Sequence, residues 1–179
     1  MTARSFLFGV ALLATTACGA SQPAPAAQRT LPEVGTEVPP LTRVDHRGQV
    51  VVLRAGVPTL LYFYPKDGTP GCTKEACAIR DAWNQYRMID LRVIGVSVDS
   101  EEQHRAFADE HVLPFSLISD PSHAWSDAFG VGTFKGGLDE RVSFLIDSKN
   151  RIVKVYENVD PGVHAQEVLA DAKALGLTP

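Results

Sequence analysis

The sequence predicts a single α/β domain with a central mixed β-sheet flanked by helices. Three observations carry this. Apolar runs suited to strands alternate with segments that open on helix-start signals. Two of those runs, at 59–64 and 91–98, bracket a helical segment, as in a parallel βαβ unit. A late pair of strands is joined by a turn too short for anything but an antiparallel hairpin.

The elements follow in chain order. Thr42 to Arg54 alternates loosely about Asp45-His46-Arg47-Gly48, a turn between two strands. Thr59 to Tyr64 is continuously apolar, as expected of a strand buried on both faces. Thr69-Pro70, Asp120-Pro121 and Asp160-Pro161 each place a capping side chain before a proline, predicting helices that begin at the proline. Leu91 to Val98 is the second buried strand, and Ser100-Glu101-Glu102-Gln103 is a capping box. Arg141 to Asp147 and Arg151 to Tyr156 flank the turn Ser148-Lys149-Asn150. Val163, Val168, Leu169, Ala172 and Leu175 mark the last helix.

Composition narrows the function. The chain has 179 residues and 45% apolar content, enough for one ordinary core. A net charge of −4 with no Lys/Arg block excludes the basic stripe of a nucleic-acid binder. No apolar run has the length of a spanning helix, about 20 residues.

The N-terminus carries a positive charge, then FLFGVALLATTA, then Ala17-Cys18-Gly19, the layout of an export signal over 1–17. A cysteine there resembles the lipid-attachment cysteine of bacterial lipoproteins. Small Thr16 and Ala17 match that box, and Thr15 stands where the box prefers Leu. A lipoprotein anchored through Cys18 is therefore expected, the alternative being a secreted protein cut after Ala26. The Ala/Pro/Ser/Gln-rich stretch that follows reads as a tether over 18–33, with the domain at 34–179. Export to a disulfide-permissive compartment would make a structural disulfide the plainest use of the two remaining cysteines, Cys72 and Cys77.

Helix geometry argues against that use. At about 100° per residue, Cys72, Ala76, Ile79, Trp83 and Tyr86 share one core-facing stripe, and Cys77 lies about 140° from Cys72 on the polar side. Residues five apart on a wound helix have Cα atoms about 8.6 Å apart, beyond the roughly 7 Å limit of a disulfide. A pair that is reduced when helical and bridged when unwound suits a redox cycle. Cys72 occupies a helix first turn, where free N–H groups and the dipole favour a nucleophilic thiolate. The Thr69 hydroxyl lies one turn back, as a cap and a possible ligand contact, and Pro65 stiffens the corner and offers no competing N–H. A fixed cation is missing locally.

Pro65-Lys66-Asp67-Gly68-Thr69-Pro70-Gly71-Cys72 resembles the active-site pattern of the peroxiredoxin family: Pro, three residues, Thr/Ser, two residues, Cys. The longer run YFYPKDGTPGCTKEAC is similar to the bacterioferritin-comigratory (PrxQ-type) subgroup. GVSVDS at 95–100, FSLISD at 115–120 and RVSFLID at 141–147 extend the resemblance from about Val34 to the C-terminus. It implies a thioredoxin-like fold, a peroxidatic Cys72, a resolving Cys77, and Arg141 as the missing cation. Pro65 and Thr69 fill the other motif places. It also implies a peroxide substrate, a thioredoxin-like dithiol reductant, a monomer and no metal or organic cofactor. The segment Pro40-Leu41 departs from the family's Pro-x-Phe, and the loop 131–140 (VGTFKGGLDE) is individual and bears on substrate size.

From the residues alone Arg141 could instead be a surface residue paired to Asp139 or Glu140. The five histidines are scattered without metal-ligand spacing to a cysteine and are expected to be structural or solvent-facing. Two other functions compete with the peroxidase: a thiol–disulfide oxidoreductase, for which the usual Cys-x-x-Cys is absent, and a non-enzymatic lipoprotein with a structural cysteine pair.

Overall fold

The computed structural model describes residue 1, residues 30–134 and residues 136–177. The signal segment after Met1, Cys18 and the tether as far as residue 29 lie outside the described residues. Leu31 is already packed against the domain.

Among the described residues, β1 (Leu41–Val44) and β2 (Val50–Leu53) form a small antiparallel sheet about the Asp45–Gly48 turn. The Asp45 carboxylate closes that turn by accepting the Arg47 and Gln49 amides. The main sheet adds β3 (Thr59–Phe63), β4 (Arg92–Ser97), β5 (Ser116–Ser119), β6 (Val142–Ile146) and β7 (Ile152–Tyr156) in the order β5-β4-β3-β6-β7. β3, β4 and β5 run parallel, β6 pairs antiparallel with β3, and β7 pairs antiparallel with β6. The helices are α1 (Pro70–Asp81), α2 (Trp83–Met88), α3 (Glu101–His111), α4 (Ala124–Ala128) and α5 (His164–Ala174).

Strand β3 is buried throughout and divides two cores, as its unbroken apolar run requires. Leu60 and Tyr62 face Cys72, Ala76 and Ile79 of α1, Phe107 of α3 and Val168 of α5. Leu61 and Phe63 face Trp125 and Phe129 beside α4 and Val51 and Leu53 of β2. Alternate residues of a strand point to opposite faces, so one short segment supports both layers.

Four sequence expectations are corrected. β5 joins the expected strands. The helix after Thr69 does not continue to Tyr86 but breaks at Ala82 (φ −90°, ψ 3°), and Tyr86 reaches the core from α2. Thr69 holds the N-cap position with extended dihedrals, but its hydroxyl makes no cap bond. It donates to the Lys66 carbonyl instead (3.1 Å). Asp120 and Asp160 do not start helices at their prolines. α4 begins at Ala124 and α5 at His164, because each carboxylate organises a turn first. The Ser100 capping box forms as expected.

Asp120 is fully buried, and its carboxylate accepts the Ala124, Trp125 and Ser126 amides. Replacing it orphans three donors inside the second core. Asp120→Ala should lower unfolding stability by about 3 kcal/mol, read from urea denaturation midpoints at unchanged slope.

Candidate active site

The parallel strands β3 and β4 end on the same edge of the sheet, and that edge carries the site. β3 runs out through Tyr64 into the 65–69 corner, from which α1 starts at Pro70. Pro70 suits the first helical position, since its missing amide has no helical partner there. Cys72 follows in the first turn, 2% exposed.

Antiparallel pairing of β3 with β6 sets the cation. Phe63 lies opposite Val142, so Arg141 enters across from the start of the corner. The Arg141 Nη2 donates to Cys72 Sγ at 3.1 Å. Its Nη1 donates to the Glu75 carboxylate in an ion pair. The alternative pairing with Asp139 does not occur. Asp139 is buried against His123, which bonds it through Nδ1 at 3.0 Å. The Arg141 side chain is 17% exposed, so the guanidinium lines an opening as well as holding the thiol. That opening is bordered by Phe134, Glu140, Val159 and Asp160. Phe134 and Glu140 come from the individual 131–140 loop.

Cys77 lies farther along α1, half-buried and outside the core cluster that contains Cys72. Both thiols are free and α1 is wound between them, the separated arrangement that helical spacing requires. Arg80, one turn further on, pairs with Asp81 and donates to the His111 carbonyl. Pro65 is half-buried in the corner, and Thr69 sits one turn before Cys72 with its hydroxyl oxygen free to accept after donating to Lys66.

Glu75 is the residue the sequence reading passed over. It is fully buried beneath Arg141. Its signal was available: position i+3 from Cys72 falls on the stripe of Ala76 and Ile79, and a carboxylate on a core-facing stripe needs a partner. Burial raises the Glu75 pKa to about 7, against the pull of Arg141. Arg141 itself is raised, because Glu75 and Cys72 outweigh the burial that opposes its charge. Behind Glu75, the buried His164 contacts the Ser143 hydroxyl at 3.0 Å through Nε2. Its pKa is lowered to about 4 by burial and then by Arg141, so the imidazole is neutral at pH 7. Three of the histidines, His46, His104 and His164, are buried and hydrogen-bonded, in keeping with structural roles.

The arrangement presents a thiol at a helix start, a guanidinium on its sulfur and an opening beside that guanidinium. This suits nucleophilic attack on a small electrophile whose leaving oxygen gathers negative charge.

Comparison with known proteins agrees with this chemistry. The AhpC/TSA family model matches residues 34–155. The chain is 40% identical to Peroxiredoxin Bcp of Bacillus subtilis over 149 residues, covering 79% of this chain and 95% of that one. It is 40% identical to the chloroplastic Peroxiredoxin Q of Sedum lineare, covering 75% of each. Among solved structures, a cysteine-to-serine mutant of Xylella fastidiosa PrxQ superposes with a TM-score of 0.74 at 31% identity, covering 80% of this chain and 97% of that one.

Glu75 yields a prediction about pH. Its folded pKa of about 7 lies above its ordinary 4.5. Between those values the folded state binds a proton that the unfolded state has released. This group's contribution therefore favours folding at the low end of that window and declines as pH rises toward 7. Glu75→Gln should remove that decline, seen as a smaller difference in denaturation free energy between pH 5 and pH 7.5 than in the parent.

Proposed function

The chain belongs to the AhpC/TSA family of peroxiredoxins, and from that premise we propose the following roles for its residues. The family fold is thioredoxin-like, with the mixed sheet and flanking helices described above, and the family chemistry is thiol-dependent peroxide reduction. The observation that carries the assignment of roles is the Arg141 contact on Cys72 Sγ at 3.1 Å, in the first turn of α1.

Cys72, as the thiolate, attacks one oxygen of a hydroperoxide. Arg141 and the free α1 amides stabilise the charge that moves onto the departing oxygen, and the Thr69 hydroxyl oxygen, its own proton donated to the Lys66 carbonyl, accepts a hydrogen bond from the hydroperoxide. Water or an alcohol leaves after taking up a proton, and Cys72 is left as a sulfenic acid. Pro65 keeps the corner rigid and free of a competing donor. The start of α1 then unwinds. The Cys77 thiol attacks the Cys72 sulfur, water departs, and an intramolecular disulfide remains. A thioredoxin-like dithiol protein reduces it by exchange, becoming oxidised in turn. This cycle uses hydrogen peroxide or an organic hydroperoxide, and the enzyme acts as a monomer.

The N-terminal layout supports export, with a lipid on Cys18 tethering the domain to a membrane and a periplasmic protein as the other outcome. Mass spectrometry of the N-terminal peptide from membranes tests this. A peptide beginning at an acylated Cys18 supports anchoring, and one beginning at Ala27 overturns it.

Three substitutions test the roles by peroxide-consumption kinetics with a dithiol reductant. Cys72→Ser should lose about a thousandfold or more in rate. Arg141→Met should lose about 10²–10³-fold through the missing charge at the departing oxygen. Cys77→Ser should still be oxidised at Cys72 once, as sulfenic acid by mass, but form no intramolecular disulfide. Full turnover by the Cys72 variant would overturn the assignment.

A further inference from the structure

Resting on those roles for Cys72 and Cys77, we infer that His104 and Asp67 form a positioning clamp. It holds the corner before Cys72 and divides the cycle between peroxide attack and disulfide formation.

The corner between β3 and α1 is not held evenly. Asp67 is fastened at three points. Its amide donates to Asp99 Oδ2 at 2.8 Å, its Oδ1 accepts from Tyr64 Oη at 2.8 Å, and its Oδ2 meets His104 Nδ1 at 2.7 Å. The partners are buried: Tyr64 at 1% exposed, Asp99 at 4% and His104 at 0%. Ser97 Oγ also donates to Asp99 Oδ2 at 2.7 Å, which ties the clamp to the end of β4. His104 stands in the first turn of α3, placed there by the Ser100 capping box. So β3, β4 and α3 meet at one residue of the corner.

Beyond that residue the chain has more room. Gly68 has a φ of +70°, and no heavy atom lies within 4 Å of where a β-carbon would stand. Thr69 is held by local bonds, its hydroxyl on the Lys66 carbonyl (3.1 Å) and its carbonyl under the Thr73 amide (2.8 Å), and at Gly71 a β-carbon would stand 3.3 Å from Arg141 Nη2. The segment 68–71 therefore runs between the anchor at Asp67 and the Arg141 guanidinium beside Gly71, with the local bonds of Thr69 between them. When α1 unwinds to bring Cys72 to Cys77, the upstream limit of the motion is Gly68, where glycine accepts a positive φ without strain. The clamp keeps the wound form populated, and the wound form is the one that reacts with peroxide.

The same side chains bring Asp67, Asp99 and His104 within 4.8 Å of one another, a spacing a cation could use. The hydrogen bonds favour the clamp. The Asp67 oxygens accept from Tyr64 and His104, and Asp99 Oδ2 accepts from Ser97 and the Asp67 amide. His104 Nε2 is buried without a partner among the described residues, so the imidazole is oriented through Nδ1 alone. A side chain that supplies a donor at the Nδ1 position should therefore replace it.

The test uses His104→Ala, which removes the donor, His104→Asn, which restores an amide donor near the Nδ1 position, and Asp67→Asn. In reduced protein, amide hydrogen exchange should accelerate in residues 68–73 of His104→Ala and Asp67→Asn while β3 and β4 stay protected. His104→Asn should remain close to the parent. In single-turnover kinetics, His104→Ala should react with hydrogen peroxide on the order of tenfold more slowly. Its sulfenic acid should close to the Cys72–Cys77 disulfide faster, leaving less sulfinic acid at high peroxide. Opposite movement of the two steps, with recovery in His104→Asn, supports the clamp. Equal slowing of both steps, unchanged exchange at 68–73, or His104→Asn behaving like His104→Ala would overturn it. If the parent itself fails to oxidise Cys72, the assigned roles fall. The exchange measurement on reduced protein then still decides whether the clamp exists.

Discussion

One guanidinium is shared between a thiol and a buried carboxylate, and the site depends on that sharing. Glu75 gives the half-buried Arg141 charge a partner, and Arg141 opposes the burial that pushes the Glu75 carboxyl toward its neutral form. Breaking such a pair leaves an uncompensated buried charge, which costs far more than an exposed pair contributes. The arrangement also joins three elements: β6 through Arg141, α1 through Cys72 and Glu75, and α5 through His164 behind the carboxylate.

The sheet makes this meeting possible. β3 and β6 run antiparallel, so the end of one lies beside the start of the other. The corner leaving β3 and the arginine entering β6 meet at one edge, although Cys72 and Arg141 are far apart in the chain. A parallel arrangement would have put the arginine at the opposite edge. The rest of the sheet serves this junction. β4 brings Ser97 and Asp99 to the same edge, and α3 brings His104.

For the proposed cycle, the reduced geometry also has to permit its own disruption. Helix α1 holds Cys72 inside and leaves Cys77 half-buried, and no disulfide fits while it is wound. The first turn is the weakest part of a helix, because its amides lack helical partners. Here it lacks a side-chain cap as well, since Thr69 turns its hydroxyl back to Lys66. An uncapped start costs stability at rest and lowers the barrier to unwinding. The break at Ala82 limits how far that unwinding can spread, because α2 is anchored separately by Tyr86, whose hydroxyl donates to the Ala165 carbonyl.

Much of this was legible in order along the chain. The βαβ unit, the late hairpin, the capping box and the burial of Cys72 followed from periodicity and turn chemistry, which act over a few residues. The family pattern around Cys72 then singled out Arg141. What local pattern missed was the fate of polar groups whose partners lie far away in sequence. Glu75 drew no assignment and His104 read only as structural or solvent-facing until the fold placed Arg141 and Asp67 against them. The helix starts after Asp120 and Asp160 were misjudged for a related reason: a carboxylate before a proline can organise a turn as readily as a helix, and packing chooses. By itself the sequence determined which segments are apolar, where a thiol meets a helix start, and that two cysteines five apart cannot bridge on a wound helix. Only the tertiary structure decided which charges are buried and with whom, because burial and pairing depend on strands and helices that meet across the sheet rather than along the chain.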